Sequence, residues 1–169
     1  GILNAPYTVC FRSEMEEDID ALTRKIEQKV SYPVFVKPAN AGSSVGITKV
    51  KDRSALYEAL RLAFAYDRKV VVEKGIDAIE VECAVIGNED PVASPLGEIV
   101  PANEFYDYEA KYKNAETGLF IPARIDQQVA QKVRETAVQA FRALGCSGLA
   151  RVDFLIEKTT GKIVLNEPN

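Results

Sequence analysis

The sequence predicts an α+β fold with a largely antiparallel sheet. Strand patterns occur in neighbouring groups, helical stretches of 3.6-residue period lie among them, and short connections join strand pairs as hairpins. A chain of 169 residues without internal repeat, low-complexity tract or Pro/Gly/Ser linker predicts one continuous domain around a single hydrophobic core.

The elements follow in order. Tyr7, Val9 and Phe11 alternate with smaller or polar residues, a short strand. Ser13 and Glu16 have the spacing of a capping box ahead of Met15, Ile19, Leu22, Ile26 and Val30, which predicts one amphipathic helix. Residues 33–38 read as a strand, a Gly/Ser loop follows, and residues 46–50 read as a second strand. Residues 54–66 carry Leu56, Leu60 and Phe64 on one side of a helix, and residues 69–73 and 79–86 give two more strands. Residues 91–122 read as an irregular middle. Asp126 caps a third helix whose buried stripe is Val129, Val133, Ala137, Ala140 and Leu144, and Gly145 takes the C′ position. Residues 149–157 and 162–167 form the last two strands.

Composition removes several classes of function. At 47% hydrophobic and 27% charged residues the chain is of average globular make-up, and no apolar run approaches the roughly 18 residues of a transmembrane helix. A net charge of −4 argues against a nonspecific nucleic-acid binder. Histidine is absent, which excludes Ser-His and Cys-His nucleophiles and His-ligated metal, so any metal is oxygen-ligated. Cys10, Cys83 and Cys146 are odd in number, far apart and in apolar settings, and read as reduced core residues of a cytoplasmic protein. The only methionine is Met15, and the chain stops straight after a strand pattern, so it reads as a piece of something longer.

Four segments carry chemistry. Lys37 enters a small-residue loop in which Gly42 and Gly46 let the backbone bend and Ser43 and Ser44 add hydroxyls to the amides, a form suited to phosphate oxygens or to a plain hairpin connection. Glu73 and Lys74 follow three valines, where strand-end backbone groups offer hydrogen bonds to an adenine edge with Ile76 packing on the ring; a solvated strand end is the alternative. Glu80 and Glu82 share the face opposite Ile79, Val81 and Cys83, and one of them suits a ribose diol. In the last hairpin, a three-residue loop of Thr159, Thr160 and left-handed Gly161 sets Asp153 across from Glu167 and Arg151 across from Asn169. A two- or four-residue loop would put the two carboxylates on opposite faces. Facing carboxylates suit a divalent cation such as Mg2+, with a salt bridge to Arg151 as the alternative. Residues 105–112, ending in Lys111 and Tyr112, read either as a loop that folds over phosphate or as an ordered surface Ω-loop.

Together the stretches YPVFVKPANAGSSVGITKV, VVVEKGIDAIEVECAVIG, PLGEIVPANEFYDYEAKY, IPARI, LGCSGLARVDFLIE and LNEPN resemble, in order and over nearly the whole chain, the ATP-grasp catalytic region of D-alanine–D-alanine ligases. That group includes the D-alanine–D-serine and D-alanine–D-lactate ligases. The resemblance implies an ATP-grasp fold with a glycine-rich hairpin flap. It implies that Lys37 contacts the ATP phosphates, that Gly42, Ser43, Ser44, Val45 and Gly46 fold over them, that Glu73, Lys74 and Ile76 hold adenine, and that Glu80 takes the ribose. Lys111 would bind the γ-phosphate, and Asp153, Glu167 and Asn169 would ligate Mg2+, or Mn2+ in its place. Arg151 would stabilise the charge on the transferred phosphoryl group, and Ser43 and Tyr112 match two members of a hydrogen-bonded group that the family completes from its N-terminal domain. The activity implied is ATP-dependent ligation of two D-alanines through an acyl phosphate for peptidoglycan synthesis, by a cytoplasmic enzyme whose full-length form is a homodimer. An isolated ATP-binding module and a ligase with D-serine or D-lactate as acceptor are the alternatives. The chain departs from the usual N-E-[IV]-N-T-x-P-G motif in placing Pro168 at the aliphatic position.

Overall fold

The computed structural model describes residues 1–100 and 118–169. It divides into two compact units, each with its own hydrophobic cluster, where the sequence reads as one core. Among the described residues the chain passes between them from Asn4 to Ala5 and again from Gly75 to Ile76, in neither place with the Pro/Gly/Ser tract that would mark a boundary.

The unit of residues 5–75 is a four-stranded antiparallel sheet covered on one face by helices. Its strands are β1 (Tyr7–Phe11), β2 (Val34–Pro38), β3 (Thr48–Val50) and β4 (Lys69–Lys74), in the order β1-β4-β2-β3. Cys10, Val34, Val36, Val50, Val70 and Val72 point to the core and meet Leu22, Ile26, Leu60 and Phe64. Alternation then sends Tyr7, Phe35, Lys37, Lys49 and Glu73 to the other face.

The first helical stretch is two helices, α1 (Arg12–Glu17) and α2 (Ile19–Lys29). Asp18 breaks it: its extended backbone closes α1 through Glu14, and its carboxylate accepts from the Ala21 N–H at 2.9 Å to cap α2. Glu14, rather than the pair Ser13 and Glu16, caps α1, accepting from the Phe11 N–H at 2.7 Å. A 3₁₀ turn at Arg53–Ala55, capped by Asp52, leads into α3 (Leu56–Tyr66).

The second unit, residues 1–4, 76–100 and 118–169, is a six-stranded antiparallel sheet under one long helix. It comprises β5 (Ala78–Gly87), β6 (Val92–Ala93), β7 (Gly97–Val100), β8 (Gly118–Phe120), β9 (Gly148–Glu157) and β10 (Ile163–Pro168), ordered β10-β9-β5-β7-β8 with β6 on β5. The span read as irregular thus contributes three short strands; Pro91, Pro95 and Gly97 conceal them because each strand has only two to four residues in which to show alternation. The helix α4 (Gln127–Ala143) begins where expected, Asp126 accepting from the N–H groups of Gln128 and Val129 at 2.8 and 3.2 Å, and Gly145 is left-handed at φ 66°. Phe141 supplies the last buried position of the stripe; Leu144, one residue past the helix, is 56% exposed. Cys10 and Cys83 are buried as expected, whereas Cys146 is only partly so.

Candidate active site

On the outer face of the four-stranded sheet, Tyr7, Glu73, Phe35 and Lys49 stand in one row across β1, β4, β2 and β3. Lys37 lies one step along the same face, where its ammonium forms an ion pair with Glu73 and stands 5.8 Å from the Phe35 ring centre. Lys49 approaches the same ring at 6.0 Å. The charge neutralisation that Lys37 needs is therefore met inside the sheet by Glu73, a pairing that no local pattern discloses. The strand end is also less open than expected: the N–H of Lys74 donates to Pro6 and that of Gly75 to Pro33, at 2.8 and 2.7 Å.

The loop between β2 and β3 turns through two successive bends, with Val45 N–H donating to the Gly42 carbonyl at 3.1 Å and Ile47 N–H to that of Ser44 at 3.3 Å. The left-handed residues are Ser43 (φ 54°), Ser44 (φ 61°) and Gly46 (φ 72°); Gly42 is not among them. Gly46 is required on two grounds, since a Cβ there would also lie 2.6 Å from the Tyr66 ring and 2.9 Å from Pro38. Consecutive left-handed serines make this a tight turn between β2 and β3.

In the six-stranded sheet, Asp153 pairs across from Glu167, and Arg151 and Asn169 exchange both backbone hydrogen bonds, at 2.9 and 2.7 Å. These are the partners that the three-residue loop predicts, reached by another route. Glu157 bonds to Lys162 across a four-residue turn, which keeps Leu165 opposite Phe154, and a bulge between Leu165 and Glu167 then shifts the register by one. The bulge restores the parity that the longer turn removes.

The side chains converge there. Arg151 grips Asp153 with Nε and Nη2 at 2.8 and 2.9 Å, and its Nε lies 3.3 Å from Glu82 of β5, the residue paired with Asp153 on the other side. Asn169 Nδ2 donates to the second oxygen of Asp153 at 2.9 Å. The hydrogen bonds to Asp153 push the Arg151 guanidinium further above its ordinary range. The salt bridge to Arg151 is thus formed and engages both Asp153 oxygens, the second of which also accepts from the Asn169 amide. Two carboxylates facing across adjacent strands and one side-chain amide form a hard-oxygen set suited to Mg2+. Among the described residues no three His, Cys, Asp or Glu side chains gather as a metal cluster, so such a set needs the amide. Glu80 stands two residues before Glu82 on the same face of β5, and Ile76 precedes the strand, half-buried. Lys111 and Tyr112 lie outside the described residues.

One ionic contact, between the buried carboxylate of Glu98 and the half-exposed Arg124, has no counterpart in the sequence reading. Glu98 of β7, 8% exposed, accepts from Arg124 Nε, Nη2 and backbone N–H at 2.9, 3.0 and 3.0 Å, and Arg124 stacks 3.5 Å above the Phe120 ring. The available signal is the setting of Glu98 between apolar Leu96 and Ile99, which makes an unpaired carboxylate costly.

Among the described residues no helix is long and apolar enough to cross a membrane. The family model described as the D-ala D-ala ligase C-terminus matches residues 1–169. A D-alanine–D-alanine ligase of Acetivibrio thermocellus is 54% identical over 169 residues, covering 100% of this chain and 45% of the relative, and one of Chloroherpeton thalassium is 50% identical, with 46% of its length covered. The solved structure of the VanG D-Ala:D-Ser ligase from Enterococcus faecalis superposes with a TM-score of 0.87 at 40% identity, over 100% of this chain and 48% of that one. The D-alanine-D-alanine ligase from Coxiella burnetii gives 0.79 at 29%, with 43% of its chain covered. The chain thus spans about half the length of the relatives it matches. A family match from the first residue to the last, joined to an ATP-grasp architecture shared with solved ligases, shows that the chain belongs to the D-ala D-ala ligase C-terminal family.

Proposed function

We propose that this chain is the nucleotide-binding and catalytic part of an ATP-dependent ligase that joins two D-alanines through an acyl phosphate, in the synthesis of peptidoglycan precursors. The observation that carries the reading is the end of the β9–β10 hairpin, where one guanidinium and three oxygen-bearing side chains occupy adjacent strand positions. Lys37 contacts the phosphates, the turn from Gly42 to Gly46 covers them with backbone amides and the hydroxyls of Ser43 and Ser44, Glu73, Lys74 and Ile76 hold adenine, and Glu80 takes the ribose. Lys111 binds the γ-phosphate, and Ser43 and Tyr112 belong to a hydrogen-bonded group that the N-terminal domain completes.

Asp153, Glu167 and Asn169 would hold Mg2+, which would supply positive charge to offset that on the phosphate oxygens. Arg151, fixed by Asp153 and Glu82, then presents an oriented cation to the phosphoryl group as it moves to the D-alanine carboxylate. The amine of the second D-alanine displaces phosphate from the acyl group, so no enzyme nucleophile is needed, in accord with a chain that has no histidine. The acceptor is D-alanine, with D-serine as a second reading favoured by the likeness to the VanG D-Ala:D-Ser ligase. The full-length enzyme works as a cytoplasmic homodimer. Coupled ADP release by the full-length protein, measured with D-alanine, D-serine or D-lactate as acceptor, tests this, and D-alanine is expected to give the fastest turnover. Mg-ATP binding by calorimetry with no acceptor-dependent ADP release would leave an ATP-binding module only.

A further inference from the structure

We propose that Glu73 is a specificity residue that holds Lys37 as a closed ion pair in the nucleotide-free protein and gives it up only to a ligand carrying both phosphate and an adenine amine. The inference rests on the reading of Lys37 as a phosphate contact and of Glu73 as an adenine contact. Phe35 stands opposite Glu73 in the β2–β4 ladder, and Lys37, two residues on, projects from the same face and reaches diagonally to the carboxylate. The two side chains keep only 25% and 20% of their exposure, so the pair is shielded from water more than a surface salt bridge is. The Phe35 ring beside the ammonium narrows the directions in which Lys37 can turn.

A closed pair offers little net charge to an incoming anion. A bare polyphosphate must take Lys37 from Glu73 and leave the carboxylate with no partner in its place. ATP makes the same exchange and supplies an exocyclic amine for the carboxylate to accept from, so the loss is made good at the other end of the nucleotide. Glu73 would therefore select ATP against free polyphosphate through what it does to Lys37, in addition to any direct contact.

Calorimetric titration with inorganic tripolyphosphate and with Mg-ATP, at one ionic strength, tests this on the parent, Glu73→Gln, Lys37→Ala and the double variant. Glu73→Gln should bind tripolyphosphate about fivefold more tightly, the release expected for a modest ion pair, while binding Mg-ATP no better or less well. Lys37→Ala should weaken both ligands, and in that background Glu73→Gln should no longer improve tripolyphosphate binding. If Lys37→Ala weakens both but Glu73→Gln leaves tripolyphosphate unchanged or weaker, the exchange is wrong and the phosphate role of Lys37 stands. An improvement that persists without Lys37 reports only the removal of a nearby negative charge, and it too overturns the proposal. If Lys37→Ala changes neither ligand, the phosphate reading itself fails.

Discussion

Gly42 and Gly46 look alike in the sequence, but a side chain would meet open space at the first and the Tyr66 ring at the second. Gly46→Ala should lower stability by more than the roughly 1–2 kcal/mol of a left-handed non-glycine residue, because contact with Tyr66 and Pro38 adds to it. Gly42→Ala should stay within about 0.5 kcal/mol of the parent in urea denaturation. Glu98 makes a different kind of prediction. Hydrogen bonds from the Arg124 side chain hold its carboxyl below the usual carboxylate range, so folding favours the ionised form. The resulting stabilisation is complete above the ordinary value of about 4.3 and is lost as pH falls through the lower folded value. Glu98→Gln should therefore be less stable than the parent at pH 7, and the gap in urea midpoints should narrow at about pH 3. At this scale the sequence shows residue types and spacings, so Lys37 and Arg151 stand out. It does not show partners 36 and 26 positions away, as in Lys37 with Glu73 and Arg124 with Glu98.

Elements with complete end signals are legible. Asp126 and Gly145 bracket α4 because a capping carboxylate and a left-handed glycine act on their nearest neighbours. Asp18 misleads because a carboxylate inside an apolar-periodic stretch either faces solvent or caps a second helix, and periodicity is the same for both. The β9–β10 hairpin is the most instructive element: a turn one residue longer than assumed is offset by a bulge one residue deep. Without the bulge, the register before it would set position 166 opposite Asp153. Deleting Asn166 should therefore straighten β10 and still leave the Glu167 side chain across from Asp153. The deletion variant is expected to retain Mg2+-dependent nucleotide binding in calorimetry, whereas Glu167→Gln in the unaltered hairpin should lose that dependence. Loss of metal dependence in the deletion would show that the bulge orients the carboxylate as well as resetting the register.

The two cores are the feature of the whole molecule least visible in the sequence, since each is assembled from apolar residues of ordinary spacing and the chain crosses from one to the other within β4–β5 connecting residues. Leu60, fully buried against β2–β4, and Phe141, 1% exposed beneath β5 and β9, test them separately. Leu60→Ala should cost about 2–5 kcal/mol and Phe141→Ala about 3–5 kcal/mol. Hydrogen exchange should rise most in the strands of the core that is cut, around Val36 and Val72 in the first case and around Val85 and Val152 in the second. Equal loss of protection in both sets would mean one cooperative unit.

Pro168 has a consequence for how such a molecule avoids sticking to copies of itself. Arg151 and Asn169 form a doubly bonded pair in the antiparallel ladder, so the next position, Pro168 opposite Val152, is one whose backbone faces away from β9. The missing N–H thus takes nothing from the sheet and leaves a gap on its outer edge. Farther along β10, the N–H of Leu165 is already engaged by the Leu3 carbonyl at 2.8 Å. An incoming strand would find one donor taken and the next absent, so β10 makes a poor template for edge-to-edge aggregation although it is the outermost strand of its sheet among the described residues.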